Sequence, residues 1–268
     1  MTIRSLASQG APLTHYHVID AHAHLGRYPN IHVVHGDAEG ILGSMDRIGI
    51  QTTCLSAFRA LGGDYHRGND EVASVVARYP GRFLGYGVIN PNYPDDIEAE
   101  LHRCLDALGL FAIKLHPTMH NYPPDGPAYH RVYTAMQVRQ GLVLSHTFGD
   151  PATLERLAAG YPNVTFLVAH VAGTYDPALA ESYAVLMEAR PNVFLDTVLS
   201  QVYYGDLEQW VAAVGASRLV FGSDVPFNDN AHQIGRITHA DISEEDKRMI
   251  LGGTMARILE RIGHTPYR

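Results

Sequence analysis

The stretch Asp20-Ala21-His22-Ala23-His24-Leu25-Gly26 follows the first short apolar run of a sequence of 268 residues. In a doubly wound α/β sheet, this position usually carries a glycine-rich turn that binds phosphate. Here it carries an H-x-H pair instead, which disfavours that architecture. Because residues two apart in an extended chain point to the same face, His22 and His24 are predicted to project together.

Similar apolar runs recur along the rest of the chain, and segments with helical periodicity separate them. The predicted strands span residues 17–20, 51–57, 83–89, 111–116, 142–146, 164–170, 193–196 and 218–222. Most are rich in Val, Ile, Leu and Phe without polar alternation, as in strands that are covered on both faces. Eight β-then-α units predict an α/β fold of one domain over 1–268, a slightly distorted (β/α)8 (TIM) barrel with its core over about 17–262.

Several local signals predict helix ends. The Asp-Pro pairs at 150–151 and 176–177 each place an N-cap before a proline at the first helical position. Ser243 is predicted to begin the last helical stretch. Another helix is predicted from 94 to 108, where Gly109 is a natural C-terminal stop.

Composition limits the classes of partner and compartment. A net charge of -8 and the lack of a long basic run argue against nucleic acid. No apolar stretch approaches the roughly 20 residues that span a bilayer, and residues 1–16 lack the apolar core of a signal peptide. Cys54 and Cys104 read as free thiols. We therefore expect a cytoplasmic protein that binds a small molecule and neither nucleic acid nor membrane, with a homodimer as an open alternative to a monomer.

Side chains able to bind metal or transfer protons stand at the downstream ends of the predicted strands. They are His22 and His24 after the first run, Lys114 and His116 at the end of the fourth, His146 and His170 as the last residues of the fifth and sixth, and Asp224 after the eighth. The C-terminal ends of all strands of a (β/α)8 barrel converge on one mouth, and the eighth strand lies beside the first. The sequence therefore predicts a metal site at that mouth, with Asp224 facing His22 and His24.

Each of these residues also has an ordinary structural explanation. A lone H-x-H pair occurs by chance in a chain with sixteen histidines, and one histidine at a strand end is more often a core residue than a ligand. Lys114 has four readings: pairing a carboxylate, binding an anionic substrate, bridging two metals after carbamylation, or reaching the surface at the barrel rim. Histidines on successive strands together with the H-x-H pair favour the metal site.

The ordered pattern H-x-H, K, H, H, D resembles the amidohydrolase superfamily. More narrowly, it is similar to the amidohydrolase-2 branch, which includes aminocarboxymuconate-semialdehyde decarboxylase, aromatic acid decarboxylases and assorted hydrolases. The similarity covers roughly 17–262. It includes the stretches at 69–72, 78–83, 108–110, 114–117 and 222–226.

The resemblance implies roles for these residues. His22, His24 and Asp224 would hold a divalent metal, and His146 would join them in mononuclear members. In binuclear members a carbamylated Lys114 would bridge two ions, with His146 and His170 on the second ion. In mononuclear members His170 would be free to act as a base or to orient water. The sequence departs from the usual pattern at His170-Val171-Ala172-Gly173, where a histidine followed by two small, glycine-rich positions is common.

The predicted activity is a metal-dependent hydrolase with Asp224, His170 and Lys114 as catalytic residues. Zinc is the first choice of metal, with manganese or iron as alternatives and one or two ions per chain. Zinc with an open position lowers the pKa of bound water to about 7, and Asp224 could take the proton, leading to hydrolysis of an amide, ester or lactone.

A nonoxidative decarboxylase, with His170 donating a proton to carbon, is the alternative. Iron-dependent oxygen chemistry on the same ligands is a minor third.

Tyrosines and arginines in the predicted loops indicate the substrate class. Tyrosine offers an apolar face with a polar tip, and arginine is the favoured partner of a carboxylate. We therefore expect a small organic acid, with aromatic acids among the candidates. The predicted contacts are Arg59, His116, Tyr122 and Tyr203, in the same layer as Tyr28. The alternative to a substrate contact is that these loop residues are exposed to solvent or lie in a contact between subunits.

Overall fold

The computed structural model describes residues 1–28, 30–173, 177–200 and 203–264. Eight parallel strands follow one another around the sheet in chain order. They are β1 (Ile19–Leu25), β2 (Thr52–Ala57), β3 (Phe83–Val88), β4 (Ala112–Leu115), β5 (Leu142–Ser145), β6 (Thr165–Val168), β7 (Val193–Asp196) and β8 (Leu219–Val220). Backbone hydrogen bonds of 2.8 Å from Ala21 to Phe221 and of 2.7 Å from His24 to Val225 join β1 to the chain after β8. The predicted (β/α)8 barrel is confirmed.

Helices alternate with these strands. The α-helices are Ile3–Ser8, Ala38–Ile48, Phe58–Leu61, Tyr65–Arg78, Ile97–His102, Pro117–His120, Pro127–Arg139, Pro151–Gly160, Pro177–Ala189, Asp206–Val214, Asn230–His239, Glu244–Arg248 and Thr254–Arg261. Single 3-10 turns occupy Pro94–Asp96, Ala169–Gly173 and Ala216–Arg218, and π-helical segments occupy Arg103–Ala107 and Met249–Gly253. Among the described residues, none of these helices has the length and apolarity needed to cross a bilayer.

The predicted caps agree with the structure where it describes them. Asp150 accepts a 2.8 Å hydrogen bond from the backbone of Thr153, and Ser243 accepts one of 3.0 Å from Asp246. Gly109 ends its helical segment with φ of 66°, a left-handed conformation that favours glycine. Asp176 lies outside the described residues.

The first strand is longer than predicted. The sequence pattern ended it at residue 20, whereas β1 continues to Leu25 and contains both histidines. Ala23 and His24 pair with Leu55 and Ser56 of β2, so the backbone stays extended. The predicted end was wrong because alternating alanine and histidine do not look apolar. β8 is shorter than predicted and ends at Val220.

The apolar core fills the barrel below the site and the layer between the sheet and the helices. The interior cluster includes Tyr86, Ala112, Leu144 and Leu167, which are all fully buried. Ala112 and Lys114 are two residues apart in β4 and therefore face the same side. Lys114 thus lies on the C-terminal side of the interior cluster, where the strands end.

Candidate metal centre

Three side chains with metal-binding atoms meet at the C-terminal end of the barrel. Ligand atoms of His22, His24 and Asp224 all lie within 4.8 Å of one another. Oδ1 of Asp224 is 3.0 Å from Nε2 of His24 and 3.8 Å from Nε2 of His22. All three side chains are buried. Two imidazole nitrogens and one carboxylate oxygen are a common partial ligand set for a divalent ion, so this trio fits a metal.

The backbone after β8 places Asp224 within the trio. Asp224 has φ of 59°, an uncommon conformation for a residue other than glycine. Its N–H donates to the carbonyl of His22 at 2.7 Å. Below it, Asp20 accepts hydrogen bonds from the hydroxyl and N–H of Ser223 at 2.5 and 2.9 Å. These bonds fix the turn that carries Asp224 against β1.

A second layer of hydrogen bonds orients the two histidines. Nδ1 of His22 lies 2.7 Å from Oδ2 of Asp196, and Nδ1 of His24 lies 2.9 Å from Oγ of Ser56. With both Nδ1 atoms engaged, the Nε2 atoms face Asp224. Such partners fix the ring orientation of metal-binding histidines. No role was predicted for Asp196 from the sequence. It nevertheless stands at the end of the seventh apolar run, the position that the predicted ligands occupy on the other strands.

The protonation states suit a cation. Burial lowers the pKa of both His22 and His24, so their rings are neutral. Burial alone would raise the pKa of Asp224, but the hydrogen bond from His24 and the nearby histidines outweigh it and hold that pKa below its usual range. Neutral imidazoles and an ionised carboxylate are the forms that bind a metal ion.

Lys114 is buried beside the trio. Its Nζ lies 2.7 Å from Nε2 of His22, and its side chain is 0% exposed, so it does not reach the surface at the barrel rim. Burial lowers the pKa of Lys114 to about 8, although Asp224 and Asp196 favour the charged form. The groups that act on its amine are therefore the two carboxylates and the imidazole of His22.

The remaining predicted histidines line the same cavity. The ring of His146 lies 4.8 Å from that of His170 and stacks at 4.1 Å on that of His116. Burial lowers the pKa of His146 to about 3 and that of His170 as well. Within the described part of the chain, neither His146 nor His170 belongs to the group of ligand atoms that lie within 4.8 Å of one another.

The unusual motif after β6 has an unusual backbone. His170 and Val171 have φ of 62° and 44° within the 3-10 turn Ala169–Gly173. The N–H of His170 donates to Oδ1 of Asp196 at 2.7 Å. The same carboxylate therefore holds both His22 and the turn that carries His170, which compensates for the strained conformation.

A cavity of about 680 Å³ opens above the trio. It is lined by His22, His24, Tyr28, Phe58, Leu61, Lys114, His116, Thr118, Met119, His146, Thr147, His170, Leu199, Ser200, Asp224 and Phe227. All six predicted metal ligands are in this lining. Phe58 stacks on His24 with ring centroids 4.5 Å apart, and Tyr28 lies 5.3 Å from Phe58 and 5.9 Å from Phe227. These three rings form an aromatic wall, of which sequence reasoning had named only Tyr28.

One of the four predicted substrate contacts lies in the described lining of the cavity, and three do not. His116 lines the cavity, whereas Arg59, Tyr122 and Tyr203 are absent from its described lining. Arg59 instead forms ion pairs with Asp64 and Glu71 at 3.5 and 2.9 Å. The hydroxyl of Tyr122 accepts a 3.0 Å hydrogen bond from the N–H of Ala128, and Tyr203 is 52% exposed. Spacing along a loop does not indicate which side chains turn toward the mouth.

The His-His-Asp cluster lies at the mouth of a parallel eight-stranded barrel, where (β/α)8 enzymes have their active sites. The Amidohydro_2 family model, for amidohydrolases, matches residues 19–261. The chain therefore belongs to the amidohydrolase family, whose superfamily enzymes use a divalent metal.

Several solved structures with a similar fold carry the names of enzymes, at low sequence identity to this chain. 2,6-Dihydroxybenzoate decarboxylase from Rhizobium has a TM-score of 0.74 and 16% identity, and the match covers 91% of this chain and 99% of that one. A dihydroxybenzoic acid decarboxylase from Polaromonas with bound manganese has a TM-score of 0.70 and 17% identity, covering 91% and 97%. 4-Oxalomesaconate hydratase from Rhodopseudomonas palustris has a TM-score of 0.68 and 16% identity, covering 92% and 96%. At these identities the likeness shows the fold.

Proposed function

We propose that the chain is a metal-dependent hydrolase that cleaves an amide, ester or lactone bond of a small organic acid. The observation that carries the proposal is the buried trio of His22, His24 and Asp224 at the floor of the cavity. A divalent ion held by this trio would polarise a carbonyl group and lower the pKa of a bound water. Membership in the amidohydrolase family supports the same activity.

The side chains around the trio have separate tasks in this reaction. Asp224 is ionised and would accept the proton of the attacking water, then return it to the leaving group. Lys114, 2.7 Å from His22, would balance negative charge on the substrate. Phe58 packs flat on His24 and would exclude water from one side while contacting the organic part of the substrate.

A nonoxidative decarboxylase is the second candidate, and the position of His170 favours it. The ring of His170 lies 5.3 Å from that of His22, outside the group of close ligand atoms. A histidine that does not bind the metal would be free to deliver a proton to the carbon that loses carbon dioxide. Two similar folds belong to proteins named as decarboxylases of dihydroxybenzoates.

The first experiment measures metal content by inductively coupled plasma mass spectrometry on protein purified without added metal or chelator. The same protein, stripped and then reloaded with zinc or manganese, is assayed against aryl esters, lactones and hydroxybenzoates. Hydrolysis in oxygen-labelled water puts the label into the acid product. Decarboxylation in heavy water releases carbon dioxide and puts deuterium on carbon.

Each outcome decides between the candidates. Metal-dependent turnover with labelled acid supports the hydrolase. Deuterium on carbon overturns it in favour of the decarboxylase. Protein that binds neither zinc nor manganese overturns both, because each depends on the trio.

A further inference from the structure

One wall of the cavity belongs to the chain that follows β7. Leu199 and Ser200 line the cavity and lie three and four residues after Asp196. We call residues 197–200 and 203–205 the β7 loop, which connects β7 to the helix Asp206–Val214. The position of this loop therefore sets the width of the cavity on that side.

Gln233, on the helix Asn230–His239, holds the middle of the β7 loop. Its Nε2 donates to the carbonyl of Leu199 at 2.7 Å, and its Oε1 accepts a long hydrogen bond of 3.5 Å from the N–H of the same residue. The side chain of Gln233 is buried. An amide that engages both backbone groups of one residue fixes that residue, since leaving either group unpaired in the interior is costly.

Arg236 contacts both ends of the β7 loop. Its Nη1 donates to the carbonyl of Thr197 at 2.7 Å and to Oε1 of Gln233 at 3.1 Å. Its Nη2 lies 3.6 Å from Oδ2 of Asp206, the first residue of the helix that ends the loop. The two charged side chains are only 8% and 1% exposed. Glu208 also faces this pair and favours the charged form of Arg236.

We propose that Arg236, together with Gln233, is a positioning residue that fastens the β7 loop and so holds Leu199 and Ser200 as a wall of the cavity. Residues three apart on a helix share a face, which lets both side chains reach one loop. The effect on substrate rests on the proposed function, because it takes this cavity as the substrate site. The trio lies on β1 and on the turn after β8, so the loop and the metal can be tested separately.

Chymotrypsin tests the loop without a known substrate, because it cleaves after exposed aromatic residues. Tyr203 and Tyr204 in the β7 loop are 52% and 105% exposed. Tyr16, in another part of the chain, is half-buried and is followed by His17, so it serves as the reference cleavage site. We expect Arg236→Met to raise cleavage at Tyr203 and Tyr204, relative to cleavage at Tyr16, by about tenfold, because proteolysis tracks local opening. Mass spectrometry of short digests gives this ratio.

Arg236→Met also leaves the buried Asp206 without its ion-pair partner, which could destabilise the whole protein. Two further variants distinguish that effect from local opening of the β7 loop. Gln233→Leu changes no charge and should raise the ratio in the same direction. Arg236→Lys keeps the charge and should raise it less than Arg236→Met. Arg218→Met is the matched control, because Arg218 also donates to backbone carbonyls, those of Met187 at 2.5 Å and Pro191 at 2.7 Å, but away from the β7 loop.

The inference is supported if the ratio rises in Arg236→Met and Gln233→Leu and stays at the wild-type value in Arg218→Met, with zinc affinity unchanged in all three. An unchanged ratio in the first two variants, or an equal rise in the control, overturns it. Where turnover is found, the variants should raise KM with little change in kcat. Failure of the proposed function would appear separately, as a wild-type protein that binds no metal, and would leave the cleavage ratio interpretable.

Discussion

Oδ2 of Asp196 lies 2.7 Å from Nδ1 of His22, while Oδ1 of the same carboxylate accepts a 2.7 Å hydrogen bond from the backbone of His170. One buried side chain at the end of β7 thus orients a histidine of the trio and fixes the turn after β6. Burial raises the pKa of Asp196 to about 6, against the effect of nearby His170. Asp196 is therefore central to the site without belonging to the trio.

Asp196→Asn should weaken divalent metal binding by about 10–100-fold, the usual cost of losing a partner that orients a ligand. The amide keeps the shape of the side chain but loses its negative charge. That charge keeps the proton of His22 on Nδ1, which leaves Nε2 free to bind a metal ion. Competition with a chelating indicator measures the dissociation constant.

Asp206→Asn is the control for that variant. Asp206 is also a buried aspartate, 1% exposed, but it pairs with Arg236 and not with a histidine of the site. Metal affinity should stay at the wild-type value. An equal loss in the two variants would contradict the assigned role of Asp196, as would full affinity in Asp196→Asn.

Much of the barrel was predictable because its signals are local. Apolar runs mark β2 to β7, and Asp150 and Ser243 mark helix starts through a cap that forms within one turn. β1 was less predictable, since its C-terminal half is kept extended by pairing with β2 and with the turn after β8. Those partners are distant in the chain and leave no local pattern.

The site was also predictable in part, where general rules of the fold place its residues. His22, His24 and Asp224 were predicted to meet because strand order in a barrel fixes which ends are neighbours, and the structure brings them together. Ser56, Phe58 and Phe227 were not predicted as site residues, since a serine or a phenylalanine near a strand end is as common in an ordinary core. Arg59 was expected at the mouth, but Glu71, twelve residues on, holds it in an ion pair instead.

Asp224→Ala should abolish turnover and weaken metal binding while leaving the fold intact. The variant removes the only carboxylate of the trio, and loss of a general base alone typically costs about a hundredfold or more in rate. Metal content, kcat and the circular dichroism spectrum are measured together. A variant that keeps both turnover and metal would show that Asp224 is not the catalytic carboxylate.

Asp229→Ala provides the comparison within the same turn. Asp229 caps the helix Asn230–His239 by accepting a 2.9 Å hydrogen bond from His232, and losing such a cap costs about 1 kcal/mol. We expect a small drop in thermal stability with unchanged metal content and kcat. This outcome would separate the role of Asp224 from damage to the turn.

Both cysteines should be unreactive in the native protein. Cys54 and Cys104 are fully buried, and burial raises the pKa of each thiol, so very little thiolate is present near neutral pH. Ellman's reagent should label neither thiol at pH 8 in buffer and both in guanidinium chloride. Fast labelling of one thiol in the folded protein would contradict the burial, and Cys104→Ala would identify which one reacts.

Lys114→Met tests how many ions the site holds. The structure pairs the Lys114 amine with Nε2 of His22 at 2.7 Å and gathers three ligands in one close group, which favours a single ion. We therefore expect about one zinc per chain in the wild type and in Lys114→Met, with no loss of affinity in the variant, because methionine removes a positive charge beside a ligand and fills a similar volume. Mass spectrometric metal analysis after dialysis, with and without added bicarbonate, gives the stoichiometry. If the wild type instead held two ions, and bicarbonate raised occupancy only where Lys114 is present, the lysine would be carbamylated and bridging, and the single-ion reading of the site would be wrong.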